Sequence, residues 1–214
     1  MTRVHTVPRL FASALSITLA GCAIDSGQPA DRRARSNQQS PALDRDLLVY
    51  DAWTDQNVQR VCAGERLRAS GTRSALLDSL CGRLSAGYFA GYGGRPVALS
   101  FRVRDIATIP APEPLYIGLI DIRDSARVAM RTFFQGSAGA RMTQAVLCAT
   151  FLQPGEDPLL DGVVFVYNGE MMPALDHIDM SGVQTPDMAQ RQMRRLGLCP
   201  DMSPGRTSEE GLRR

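Results

Sequence analysis

Between Tyr88 and Val97 the spacing of apolar residues drops from about four to two, and this switch constrains the fold more than any other feature. Leu76, Leu80, Leu84 and Tyr88 line one face of a helix over Ser74 to Tyr88, with Leu77 and Cys81 widening the stripe. Gly87, Gly91, Gly93 and Gly94 end that pattern. Beyond them Val97, Leu99, Phe101 and Val103 alternate with Ala98, Ser100, Arg102 and Arg104, which reads as a strand with one wet face.

Other segments fill in the scheme. Leu47, Leu48, Val58 and Val61 with Trp53 read as a helix over Asp44 to Val61. Leu115 to Ile122 reads as a buried strand. Ser125 to Phe134 fits both periods and is taken as strand; Met142 to Leu152 stays ambiguous. Asn168-Gly169 between apolar runs is the pair a type I′ hairpin turn demands. Thr185-Pro186-Asp187 opens a helix as N-cap, N1 proline and first-turn acid, and Gly197 closes it. Arg191, Arg194 and Arg195 suit its C-terminal half. The expected class is α+β: a largely antiparallel sheet with flanking N- and C-terminal helices, stabilised by disulfides.

The first residues form a separate system. Arg3 and Arg9 precede an uncharged, mostly apolar run from Leu10 to Ala20. That is a secretory n-region and h-region, at about half the ~20 residues of a spanning helix. Leu19-Ala20-Gly21-Cys22 then resembles the lipobox of bacterial lipoproteins: an aliphatic residue, two small ones and a cysteine. The resemblance covers the first 22 residues alone and says nothing of the rest. It implies a diacylglyceryl group on the Cys22 sulfur, cleavage before Cys22, and acylation of the new amino terminus by a chain such as palmitate. Several acyl chains, at ~0.8 kcal/mol per buried CH₂, anchor a protein stably. Ala23 resembles the outer-membrane sorting pattern. The expected organisation is a signal peptide over residues 1–21 and a lipidated cysteine with polar tether over 22–43. A single α+β domain over 44–200 and a polar tail over 201–214 follow.

Charge and cysteines narrow the function. Every one of the 24 basic residues is Arg. A chain without Lys has no Walker A loop, no Schiff base and no Ser-Lys dyad. Loss of the leader removes Arg3 and Arg9 and no acid, so Arg then equals Asp plus Glu in number. Bulk charge therefore makes no case for nucleic acid. With Cys22 lipidated, Cys62, Cys81, Cys148 and Cys199 remain for an oxidising compartment. Two disulfides are expected, Cys62–Cys81 and Cys148–Cys199, each joining sequence neighbours.

Candidate chemistry is sparse. His177, in Asp176-His177-Ile178-Asp179, is the one histidine beyond the leader. Carboxylates beside an imidazole can tune a base, yet the simpler expectation is a surface histidine in a polar loop. Met171, Met172, Met180, Met188, Met193 and Met202 around His177 offer thioethers to Cu(I), against the simpler expectation of methionines filling a core. Tyr92 and Arg95, in an aromatic and glycine-rich loop, could stack on a sugar or peptide and reach a carboxylate, though such loops more often pack inward. Gly136-Ser137-Ala138-Gly139 departs from the G-x-S-x-G elbow and reads as a turn between strands. Glu156-Asp157 and Asp121 with Asp124 read as turn or surface charge. The resulting expectation is an outer-membrane lipoprotein facing the periplasm, with a binding or assembly role. It uses no cofactor or metal and meets envelope proteins or peptidoglycan. The alternatives are an envelope hydrolase using His177 or a carboxylate pair, and a Met/His copper-handling lipoprotein.

Overall fold

The computed structural model describes residues 42–55, 58–92, 95–96 and 99–199. The leader, Cys22, most of the tether, Met202 and the tail lie outside the described residues. So do the side chains of Tyr92 and Arg95.

The helix expected over Asp44 to Val61 is instead a long antiparallel hairpin of β1 (Leu43–Asp55) and β2 (Val58–Gly71). Its period is two: Leu47 and Val49 are buried while Asp44 and Asp46 are exposed. A bulge between Val49 and Tyr50 resets the faces, so Tyr50 is buried as well. That bulge breaks the alternation and imitates helical spacing. On the wet face Arg68 bonds Asp44 at 2.9 Å and Arg66 sits 3.8 Å from Asp46. Such exposed pairs stabilise by roughly 0–1 kcal/mol each.

Helix α1 (Arg73–Ala86) matches its sequence pattern: Thr72 caps it by accepting from the Ala75 N–H, and Leu76, Leu77, Leu80, Cys81 and Leu84 are buried. A two-residue pair follows, β3 (Gly91–Tyr92) with β4 (Arg95–Pro96). The main sheet contains β5 (Leu99–Ile109), β6 (Leu115–Asp124), β7 (Gly162–Tyr167) and β8 (Glu170–Met171), in that spatial order. Its β5–β6 and β7–β8 pairs are antiparallel, while β6–β7 is parallel. A parallel pair needs a crossover, and α2 (Ala129–Phe133) with α3 (Ser137–Leu152) supplies it. The architecture is α+β.

Two readings give way here, and one ambiguity is settled. Ser125 to Phe134 is a turn and α2, because Asp124 accepts from the Val128 and Ala129 N–H groups and starts the helix. Met142 to Leu152 is helix, buried at every position. A helix buried all round has no wet face, so its period carries no signal. Gly136-Ser137-Ala138-Gly139 is accordingly the start of α3, with Gly136 at φ 73°, and not a turn between strands.

The Asn168-Gly169 turn stands as read, with φ 52° and 85°. So does α4 (Pro186–Leu196), capped by the Thr185 hydroxyl on the Met188 N–H. A chain of aromatic rings runs through the core: Phe89 lies 5.0 Å from Phe101 and 4.9 Å from Phe133, and Phe151 lies 6.0 Å from both Phe101 and Phe165.

The cysteine pairing differs from the sequence expectation. Cys62 bonds Cys199, across 137 residues, while Cys81 and Cys148 are buried free thiols. The reason is local. Cys81 lies on the leucine face of α1 and Cys148 inside α3, so both thiols point into the core. Val61 meanwhile accepts the end of α4 as a short strand partner, bridging Leu198 and donating to the Gly197 carbonyl at 3.2 Å. That bridge brings positions 62 and 199 together. Alkylation of the unfolded, unreduced chain is expected to label Cys81 and Cys148 and to spare Cys62 and Cys199, as read by peptide mass. Reducing that bond is expected to remove up to ~5 kcal/mol of stability in the chain-entropy model, measured by urea unfolding.

Candidate functional site

Gln144 is a polar residue in the buried stretch of α3, 6% exposed. Its amide N–H donates to the Asp179 carbonyl at 2.8 Å and to Gln184 Oε1 at 3.1 Å. Gln184, 2% exposed, donates in turn to the Asp179 and Gly182 carbonyls, and its backbone pairs with Val163 of β7. These bonds, with buried Met180 beside them, hold the segment between β8 and α4 against α3. Within it the Asp179 Oδ1 accepts from the Ser181 N–H at 2.9 Å and hydroxyl at 2.6 Å. Those two bonds hold the Asp179 carboxyl below the usual carboxylate range.

The result is a groove of about 540 Å³. Arg141 and Gln144 of α3 form one wall. His177, Ile178 and Asp179 form the second, and Met188, Gln192, Arg195 and Leu196 of α4 the third. Its volume is in the range of small-ligand sites. Among the described residues neither Arg141 nor Arg195 has an acid partner. Gln192 Oε1 is buried with no hydrogen-bond partner among the described residues. An unmet buried acceptor costs roughly 1–3 kcal/mol.

Of the residues singled out in the sequence, His177 is exposed on this groove. Met188 joins it there, whereas Met172, Met180 and Met193 are core and Met171 is 79% exposed. Among the described residues, the methionines therefore do not converge on His177. The Tyr92 and Arg95 backbones pair as β3 and β4. Adjacent Gly91 lines a second hollow of about 460 Å³ beside Tyr88 and Thr143. Sequence reasoning missed Arg141, Gln144, Gln184 and Gln192, which sit on three segments that meet only in the fold.

It also misjudged two acids. Asp121 and Asp124 are buried, at 0% and 1% exposure. Asp121 accepts from Arg104 at 3.1 Å, Arg123 at 3.2 Å and the Gly169 N–H at 2.9 Å. Asp124 takes the α2 N–H groups and, at 2.6 Å, the Tyr167 hydroxyl, while its backbone N–H donates to Asn168 Oδ1. Burial and the Asp124 carboxylate together push the Tyr167 phenol up. Both acids are consumed by turn and helix-start contacts. Glu156 and Asp157 are exposed, as expected, with Asp157 accepting from Arg45.

No family model and no curated protein matches the chain. Among solved structures it is similar to a Clostridium perfringens protein described as a "putative lipoprotein", at 17% identity and a TM-score of 0.36. The match covers 67% of this chain and 89% of that one. A likeness of that strength carries no functional argument. Among the described residues no helix is long and apolar enough to cross a membrane.

Two outcomes are expected from the buried groups. Asp124→Ala orphans the Ala129 N–H and Tyr167 hydroxyl and should cost about 3 kcal/mol in urea unfolding. Burial raises the Cys81 and Cys148 thiols from 9.0 to about 12, and raises Tyr50 too. Above pH 9 the unfolded chain sheds thiol protons that the folded chain keeps, so it binds fewer. Stability is then complete below pH 9 and falls as pH climbs toward 12. Cys148→Ala should flatten that alkaline slope in urea midpoints taken across the window.

Proposed function

We propose that this chain is a lipid-anchored protein of the bacterial envelope, held in the outer membrane through Cys22 and facing the periplasm. Its folded domain acts by binding, and envelope proteins or peptidoglycan are its partners. The observation that carries the binding reading is the groove between α3 and α4: two guanidiniums without acid partners, and no Ser, Thr or Cys in its lining. Cations without counterions attract an anionic ligand. A lining without a hydroxyl or thiol offers no such nucleophile for covalent hydrolysis. The Cys62–Cys199 bond supports export, because such bonds persist in oxidising compartments. The lipobox-like Leu19-Ala20-Gly21-Cys22 supports the anchor.

Intact-mass measurement of the chain extracted from cells tests the anchor. The expected species starts at Cys22 and carries diacylglyceryl and acyl groups, and Cys22→Ser should leave the leader attached. A chain that retains Met1 overturns the anchored reading. The groove is tested in cells: an Arg141→Gln, Arg195→Gln form should reproduce the envelope permeability of cells lacking the protein, and normal rescue by that form overturns it.

A further inference from the structure

We infer that the groove binds a zwitterionic amino acid or dipeptide, its carboxylate between Arg141 and Arg195 and its ammonium on Asp179. The inference rests on the binding reading above and not on the lipid anchor. Three observations carry it.

The first is charge placement. Arg141 comes from α3 and Arg195 from the last turn of α4, and both line one groove. A planar carboxylate is the group that two guanidiniums hold well, by charge-assisted and often bidentate bonds. Asp179 lies on the same groove. Its two bonds from Ser181 both end on Oδ1, so Oδ2 has no partner among the described residues. Those bonds also favour its charged form. A dianionic phosphate would satisfy the arginines and set its charge against Asp179. A ligand carrying one carboxylate and one ammonium meets both signs.

The second is the unmet amide of Gln192, which lines the groove from the middle of α4. Its Oε1 is a buried acceptor with no donor among the described residues, and a dipeptide carries an amide N–H between its two charges. The oxygen is out of reach as the side chain stands, so a rotation of Gln192 must accompany binding for a ligand N–H to satisfy it. The third is rigidity. The Asp179 backbone is fixed by Gln144 and Gln184, both nearly buried, so the carboxylate is presented from a braced loop. A braced site loses less freedom on binding than a mobile one.

The test is calorimetric titration of the full chain in detergent with L-alanyl-L-alanine, its N-acetyl and C-amide derivatives, and inorganic phosphate. The dipeptide should bind saturably. Arg141→Gln and Arg195→Gln should each weaken it ~10-fold, and so should amidation of its carboxylate. Acetylation of the amine should weaken it similarly, and that penalty should vanish in Asp179→Asn, which retains the Oδ1 that Ser181 bonds. Circular dichroism and the thermal midpoint establish that each variant is folded. No saturable dipeptide binding, equal binding of the capped derivatives, or displacement by phosphate at matched concentration overturns the assignment. The cell-permeability result for the double arginine variant reads the binding role independently, so failure of the ligand class and failure of the groove are distinguishable.

Discussion

A polar group inside a helix that is buried on every side must find a partner or cost roughly 1–3 kcal/mol, and this constraint organises the domain around α3. Three polar side chains sit within its apolar length: Thr143, Gln144 and Thr150. Each meets the constraint through a different neighbour. Thr150 accepts the Tyr50 N–H of β1 at 3.0 Å. Thr143 donates to the Phe133 carbonyl at 2.7 Å and so fixes the end of α2. Gln144 holds the segment that leads into α4. At the end of α3, Gln153 reads the Leu48 backbone as another strand would, accepting its N–H at 2.8 Å and donating to its carbonyl at 2.7 Å. Apolar packing places the helix; these polar contacts set the register in which hairpin, crossover and loop meet it.

The main sheet has its own anchor in β6. Asp121 and Asp124 point to opposite faces of the sheet from the same strand, and both reach the β7–β8 turn. Asp121 takes the Gly169 N–H and draws Arg104 and Arg123 over itself. A carboxylate removed from water is tolerable only with such company. Asp124 starts α2 and receives the Tyr167 hydroxyl. One strand end thus governs a hairpin turn, a crossover entry and two surface arginines.

The parts legible in the sequence were those specified by neighbours in the chain. Asn168-Gly169 and Thr185-Pro186 are local chemistry, and the leucine stripe of α1 is a local period; the structure contains all three. The parts not legible depend on contacts between distant segments. A bulge at Val49 and Tyr50 hid the alternation of the first hairpin. The unbroken burial of α3 from Met142 to Leu152 erased its period. The cysteine pairing followed a bridge between Val61 and Leu198 that no spacing rule anticipates. Of the groove, His177 was visible as a lone histidine and Arg195 as a residue suited to a helix end. Their meeting with Arg141 and Gln192 is tertiary.

The bond between Cys62 and Cys199 has a mechanical meaning. Tension applied along the backbone from Leu43 at one end and Cys199 at the other enters the covalent crosslink at Cys62 and bypasses everything in between. Residues Leu43 to Val61 can be peeled from the hairpin, but the sheet, the crossover and α4 lie off the load path and cannot be stretched while the sulfurs stay joined. The described fold therefore has a short extensible lead and a covalently shielded body.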